Sequence, residues 1–138
     1  MRRQTLLLRF EPRATPPTDD PPTFDVTSGP GTVTLLEGDE DGVPTSARYA
    51  SHVTMTGEDT FEETGEITFD GGSFTLSTPI PGVMQEFPES GMVLGAVTWR
   101  VQGSGRFSGA SGLVSSNFAF QTDGSGAIEE QVARIVLP

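Results

Sequence analysis

Polar and apolar residues alternate along most of the chain with a period of two, the pattern of strands that bury one face. In Arg48–Thr56, Tyr49, Ser51, Val53 and Met55 share one face, while Arg48, Ala50, His52, Thr54 and Thr56 take the other. Thr60–Asp70 repeats the pattern, with Phe61, Glu63, Gly65, Ile67 and Phe69 opposite a wholly polar Thr60, Glu62, Thr64, Glu66 and Thr68. Asp70-Gly71-Gly72 is a hairpin signal leading into Ser73–Thr78, where Phe74 and Leu76 share a face. Val93–Gln102 aligns Val97, Trp99 and Val101, and Leu113–Gln121 and Ala127–Leu137 follow, separated by the turn at 123–126. Shorter strands are predicted at 4–10, 23–27 and 32–37, the first two separated by a proline-rich link at 11–22. Seven to nine strands at short spacing, with no helical period, predict an all-β domain, closed or nearly closed.

Residues 79–92 break this rhythm. Three prolines (Pro79, Pro81 and Pro88) argue against a plain hairpin, yet the segment carries Ile80, Val83, Met84, Phe87 and Met92. An irregular loop with that much apolar surface must fold back, either as a lid over a cavity mouth or as padding at one end of the core.

Composition narrows the function. The 138 residues fit a single domain, 1–138. A net charge of −11 makes nucleic acid an unsuitable partner, because a phosphate backbone would be repelled. With no cysteine and one histidine, His52, there is no disulfide framework, no thiolate zinc site and no multi-histidine metal centre. The acidic run Gly38–Gly42 fails the calcium-loop spacing and reads as a solvated turn. The P-loop signature GxxxxGK[ST] is absent, so no nucleotide cofactor is expected. Apolar runs of about three residues span no membrane. The basic start Met1-Arg2-Arg3 precedes only three leucines, too few for a secretion signal, so a cytoplasmic location is expected.

Gly103-Ser-Gly-Arg-Phe-Ser-Gly-Ala-Ser-Gly112 is the most specific feature. Four glycines at this spacing let a strand turn sharply beside another backbone, with Phe107 plugging the core at the corner. This GxGxFxGAxG pattern resembles the barrel superfamily of plant allene oxide cyclases and dirigent proteins. Bacterial cyclases of spirotetronate and related polyketides use the same barrel. The resemblance covers strand order and glycine placement over residues 45–137, and the motif itself over 97–120. It implies an eight-stranded antiparallel, calycin-like barrel whose lumen takes an apolar small molecule, and relatives that associate through their outer faces, so a homo-oligomer (dimer or trimer) is expected. The motif is architectural and carries no catalytic residue.

A barrel cyclase needs to fold an apolar substrate, exclude water and place one or two polar groups where charge develops. Isolated polar residues on apolar faces are therefore the candidates. Glu63, among Phe61, Ile67 and Phe69, is the first: burial there would raise its pKa and suit it to acid–base work. The alternative is a bulged strand that leaves Glu63 in solvent or paired with an arginine. Tyr49, beside Val53 and Met55, is the second, as a hydrogen-bond donor to a substrate oxygen or as a core-edge aromatic with a wet hydroxyl. Trp99, Met55, Phe61, Ile67, Met84 and Phe87 are the expected substrate-binding surface, with Trp99 equally able to fill core or an interface. Two functions stay open: a cofactor-free cyclase or isomerase of a polyketide-like metabolite, and a non-catalytic barrel that carries a hydrophobic ligand or serves as a structural subunit.

Overall fold

Alternating faces become strands only when each finds a partner, and here every strand does. The computed structural model describes residues 1–138 as eleven strands and no helix: β1 (Arg2–Phe10), β2 (Arg13–Ala14), β3 (Thr23–Thr27), β4 (Gly31–Gly38), β5 (Ser46–Met55), β6 (Thr60–Phe69), β7 (Gly72–Ser77), β8 (Gly82–Phe87), β9 (Met92–Gly105), β10 (Ser111–Gln121) and β11 (Ala127–Leu137). Eight of them close an antiparallel ring in the order β1, β4, β5, β6, β7, β9, β10, β11 and back to β1. Closure removes the free edges that an open sheet would expose, and turns one face of every strand inward.

The remaining strands patch the wall. β4 pairs with β5 only at Gly31–Ala47 and Thr32–Ser46, and β3 takes over along β5 at residues 50–54. On the opposite side β7 pairs with β6 at 65–69 and with β9 at 100–105, and β8 continues both ladders at Thr60–Phe61 and Met92–Ala96. The segment expected to be an irregular loop therefore contains a paired strand. Its prolines are the reason: Pro79 and Pro81 precede β8 and Pro88 follows it, so none interrupts the N–H groups the ladder needs.

The core has two apolar ends and a polar middle. At one end Phe69, Phe74 and Phe107 pack edge to face, with ring centroids 4.9–5.0 Å apart. Phe107 reaches this position from the glycine-rich turn between β9 and β10. There Gly105 holds φ +62°, and a Cβ on it would lie 2.4 Å from the carbonyl oxygen of Gly71. The close backbone approach anticipated from the motif is thus present at Gly105, and Gly109 also has positive φ, at +84°. At the other end Phe61 meets Phe118 at 6.0 Å, and Met55 and Met84 lie partly buried against them.

Candidate functional site

Between the two phenylalanine clusters the inward faces of β5, β6, β9, β10 and β11 carry polar side chains. Parity puts Tyr49 and Ser51 of β5, Glu63 of β6, Trp99 of β9, Ser116 of β10, and Glu129 and Gln131 of β11 inside, and all are buried. An interior expected to hold one carboxyl, Glu63, thus holds two, Glu63 and Glu129, each 4% exposed.

Glu63 is held on both its backbone and its side chain. It pairs with Val53 of β5 on one side, and on the other occupies the break in the wall between β7 and β8, where β6 lacks a ladder partner. Thr78, in the link between those strands, substitutes for one: its hydroxyl accepts from the Glu63 N–H at 3.0 Å and donates to the Glu63 carbonyl. Trp99 Nε1–H donates to the same carbonyl at 3.0 Å. The side chain points inward, where Oε2 accepts from the Tyr49 hydroxyl and from Ser51 Oγ, the latter at 2.5 Å. Burial raises the Glu63 pKa, opposed by the hydrogen bonds from Ser51 and Tyr49. Neither alternative for this residue, solvent exposure or an arginine partner, is realised. The phenol of Tyr49 is pushed well above its ordinary range, chiefly by burial and then by the charges of Glu129 and Glu63, so it serves as a neutral donor.

Glu129 forms the second half of the site. Its Oε2 accepts from Ser116 Oγ at 2.7 Å and from Gln131 Nε2 at 2.8 Å. Burial first, and the charge of Glu63 second, raise its pKa to about 7. A carboxyl titrating there is available in either protonation state near neutrality, the condition for general acid–base work. Gln131 is fully buried, and its Oε1 has no hydrogen-bond partner. Sequence reading missed Glu129, although it shares parity with Ala133, Ile135 and Leu137. The signal was diluted because the other face of β11 also carries Ile128, Val132 and Val136.

The remaining expectations divide. Trp99, Phe61 and Ile67 are fully buried in the interior, and Met55 and Met84 line its Phe61–Phe118 end. Phe87 is not brought to the lumen: it lies at the end of β8 on the outward parity of Val83, 39% exposed. The cause is the pairing of β8, which fixes alternate residues outward where a loose lid could have turned Phe87 in. His52 is exposed on the outer wall, its Nδ1 2.7 Å from Asp25 Oδ1. That pair borders a shallow cleft of ≈ 480 Å³ between β3, β5 and β6, whose lining also includes Ser51.

No protein-family profile and no curated protein matches this chain. Among solved structures it is similar to the pterocarpan synthase dirigent protein GePTS1, with a TM-score of 0.61 at 15% identity over 96% of this chain and 86% of the other. The fold is dirigent-like. At that identity the likeness concerns the barrel alone, and the chemistry of the dirigent-like interior rests on its own residues.

Proposed function

We propose that this dirigent-like barrel binds an apolar small molecule inside and moves a proton on it, as a cyclase or isomerase that needs no metal or nucleotide cofactor. The carrying observation is the buried Tyr49–Glu63 hydrogen bond, with a second carboxyl, Glu129, in the same interior. In the reaction class this supports, one carboxylate takes a proton from the substrate as a bond forms or shifts. A carboxylic acid or the Tyr49 phenol returns a proton to another atom of the same molecule. Substrate and product are then isomers; with Glu63 as base and Tyr49 as acid, the proton passes back from Glu63 to Tyr49 along their shared hydrogen bond, and the protein ends as it began. The phenylalanine clusters on either side would keep water out, and they strengthen each polar contact by lowering the local dielectric.

Mass neutrality supplies the test. The protein is incubated with a small-molecule extract of the cells it comes from, and the extract is followed by chromatography and mass spectrometry. One compound should decline as an isomer of unchanged mass grows, with Glu63→Gln slowing the change by ~10²-fold. Binding of a compound without any isomer would identify a carrier, and an unchanged rate in Glu63→Gln would remove the acid–base role.

An assembly is part of the same proposal. Val83, Leu94 and Ile128 are exposed on the outer faces of β8, β9 and β11, and Ala119 of β10 pairs with both Leu94 and Ile128. Such an apolar strip across neighbouring strands suits contact with a second copy.

A further inference from the structure

All eight arginines and His52 are exposed, so the two interior carboxyls face no protein cation. Their hydrogen bonds are also one-sided. Every donor to Glu63 and Glu129 goes to Oε2, leaving Oε1 of each without a donor. The Oε1 of Gln131 is likewise without one, and that amide sits against Glu129 through its own Nε2. Of these three oxygens only that of Gln131 is itself fully buried; with Gln4 Oε1 of β1 it is one of two buried polar side-chain atoms in the chain without a partner, an uncommon state because such an atom forfeits its hydration without a replacement. Aromatic rings adjoin them: Tyr49 stacks on Phe10 at 5.6 Å and lies 6.0 Å from Trp99, and Phe10 is the register partner of Glu129.

Accepting the interior as a ligand site, as proposed above, we infer that its ligand carries a protonated amine on an apolar body. A primary ammonium has three N–H donors and one positive charge. The interior offers the buried, unpartnered amide oxygen of Gln131, two carboxyls that each keep one oxygen without a donor, and the faces of electron-rich rings, all of which attract an organic cation. A neutral alcohol would supply one donor and leave the charge unbalanced. A metal ion fits less well, since no three His, Asp or Glu side chains converge anywhere in the chain, and calcium takes about six to eight oxygens.

Trp99 is the only tryptophan and its indole N–H bonds the Glu63 carbonyl, so its fluorescence reports directly on the site. The full chain is titrated with n-octylamine, n-octanol and n-octanoate at pH 8, in enough salt to screen the −11 surface. Octylamine should bind about tenfold or more tighter than octanol, with octanoate weakest, as charge-assisted bonds and ring faces favour the cation. Glu129→Gln and Glu63→Gln should each erase the preference for the amine while octanol still binds. Equal binding of amine and alcohol would overturn the ammonium assignment and leave the ligand-binding interior standing. An amine preference that survives in both variants would place the cation on the outer surface and overturn it too. Failure of all three probes to bind would count against both readings.

Discussion

Replacing Glu129 by glutamine keeps the shape and the acceptor for Ser116 and Gln131 but removes the titration. In the folded protein its carboxyl titrates at about 7, against an ordinary value of 4.5. The sign follows from proton binding. Between those two values the folded state holds the proton and the unfolded chain has released it, so stability falls as pH rises through this window. At pH 5 about three-quarters of the contribution remains, and by about pH 8 it has been lost. The interval corresponds to about 3 kcal/mol, taken at 1.36 kcal/mol for each tenfold change in proton affinity. Urea unfolding of wild type and Glu129→Gln at pH 5 and pH 8 gives four stabilities, and the other carboxylates largely cancel in the double difference. Glu129→Gln should match wild type within about 1 kcal/mol at pH 5 and exceed it by about 2–3 kcal/mol at pH 8. Some residual slope from Glu63, whose pKa burial also raises, should remain in the variant. Parallel pH profiles for the two proteins, or a variant weaker at both values, would refute a buried and proton-holding Glu129.

Other outcomes test separate parts of the structure. Tyr49→Phe removes a donor that favours the ionised form of Glu63, so the Glu63 pKa should rise further, visible as the carboxyl infrared band persisting to higher pH, with a stability loss of ~1 kcal/mol. Gly105→Ala should cost ~1 kcal/mol or more in urea unfolding, since φ is +62° and the new Cβ would strike the Gly71 carbonyl; Gly126→Ala, with nothing near its Cβ, should cost much less. Thr78→Val removes both side-chain bonds to the Glu63 backbone and should destabilise by ~1–3 kcal/mol, with a shift in Trp99 emission as the wall break loosens. If the outer strip joins copies of the chain, Leu94→Glu should lower the mass seen by sedimentation without changing the circular dichroism spectrum.

The strands were readable because burial imposes a period of two, and the ring leaves no strand unpartnered to blur it. Parity alone placed Glu63, Tyr49 and Trp99 on one side of the wall. It failed at Glu129 because β11 carries apolar residues on both faces, so no single face stood out as the inner one. The glycine motif announced its corner, since positive φ at Gly105 and Gly109 constrains residue type directly. The role of Thr78 left no local mark: it replaces a missing ladder bond fifteen residues away in sequence, and only the three-dimensional break between β7 and β8 creates that need. Residues 79–92 misled for a related reason. Proline content was weighed over the whole segment, whereas its position relative to β8 decides whether a hydrogen bond is lost.

The most direct test is native mass spectrometry of the protein after exposure to a small-molecule extract of the cells it comes from. Binding inside the barrel through Glu63 and Glu129 predicts one retained ligand per chain in wild type, and its loss in the folded double variant Glu63→Gln/Glu129→Gln. A wild-type protein that retains nothing, or a double variant that retains the same ligand equally well, would contradict the account.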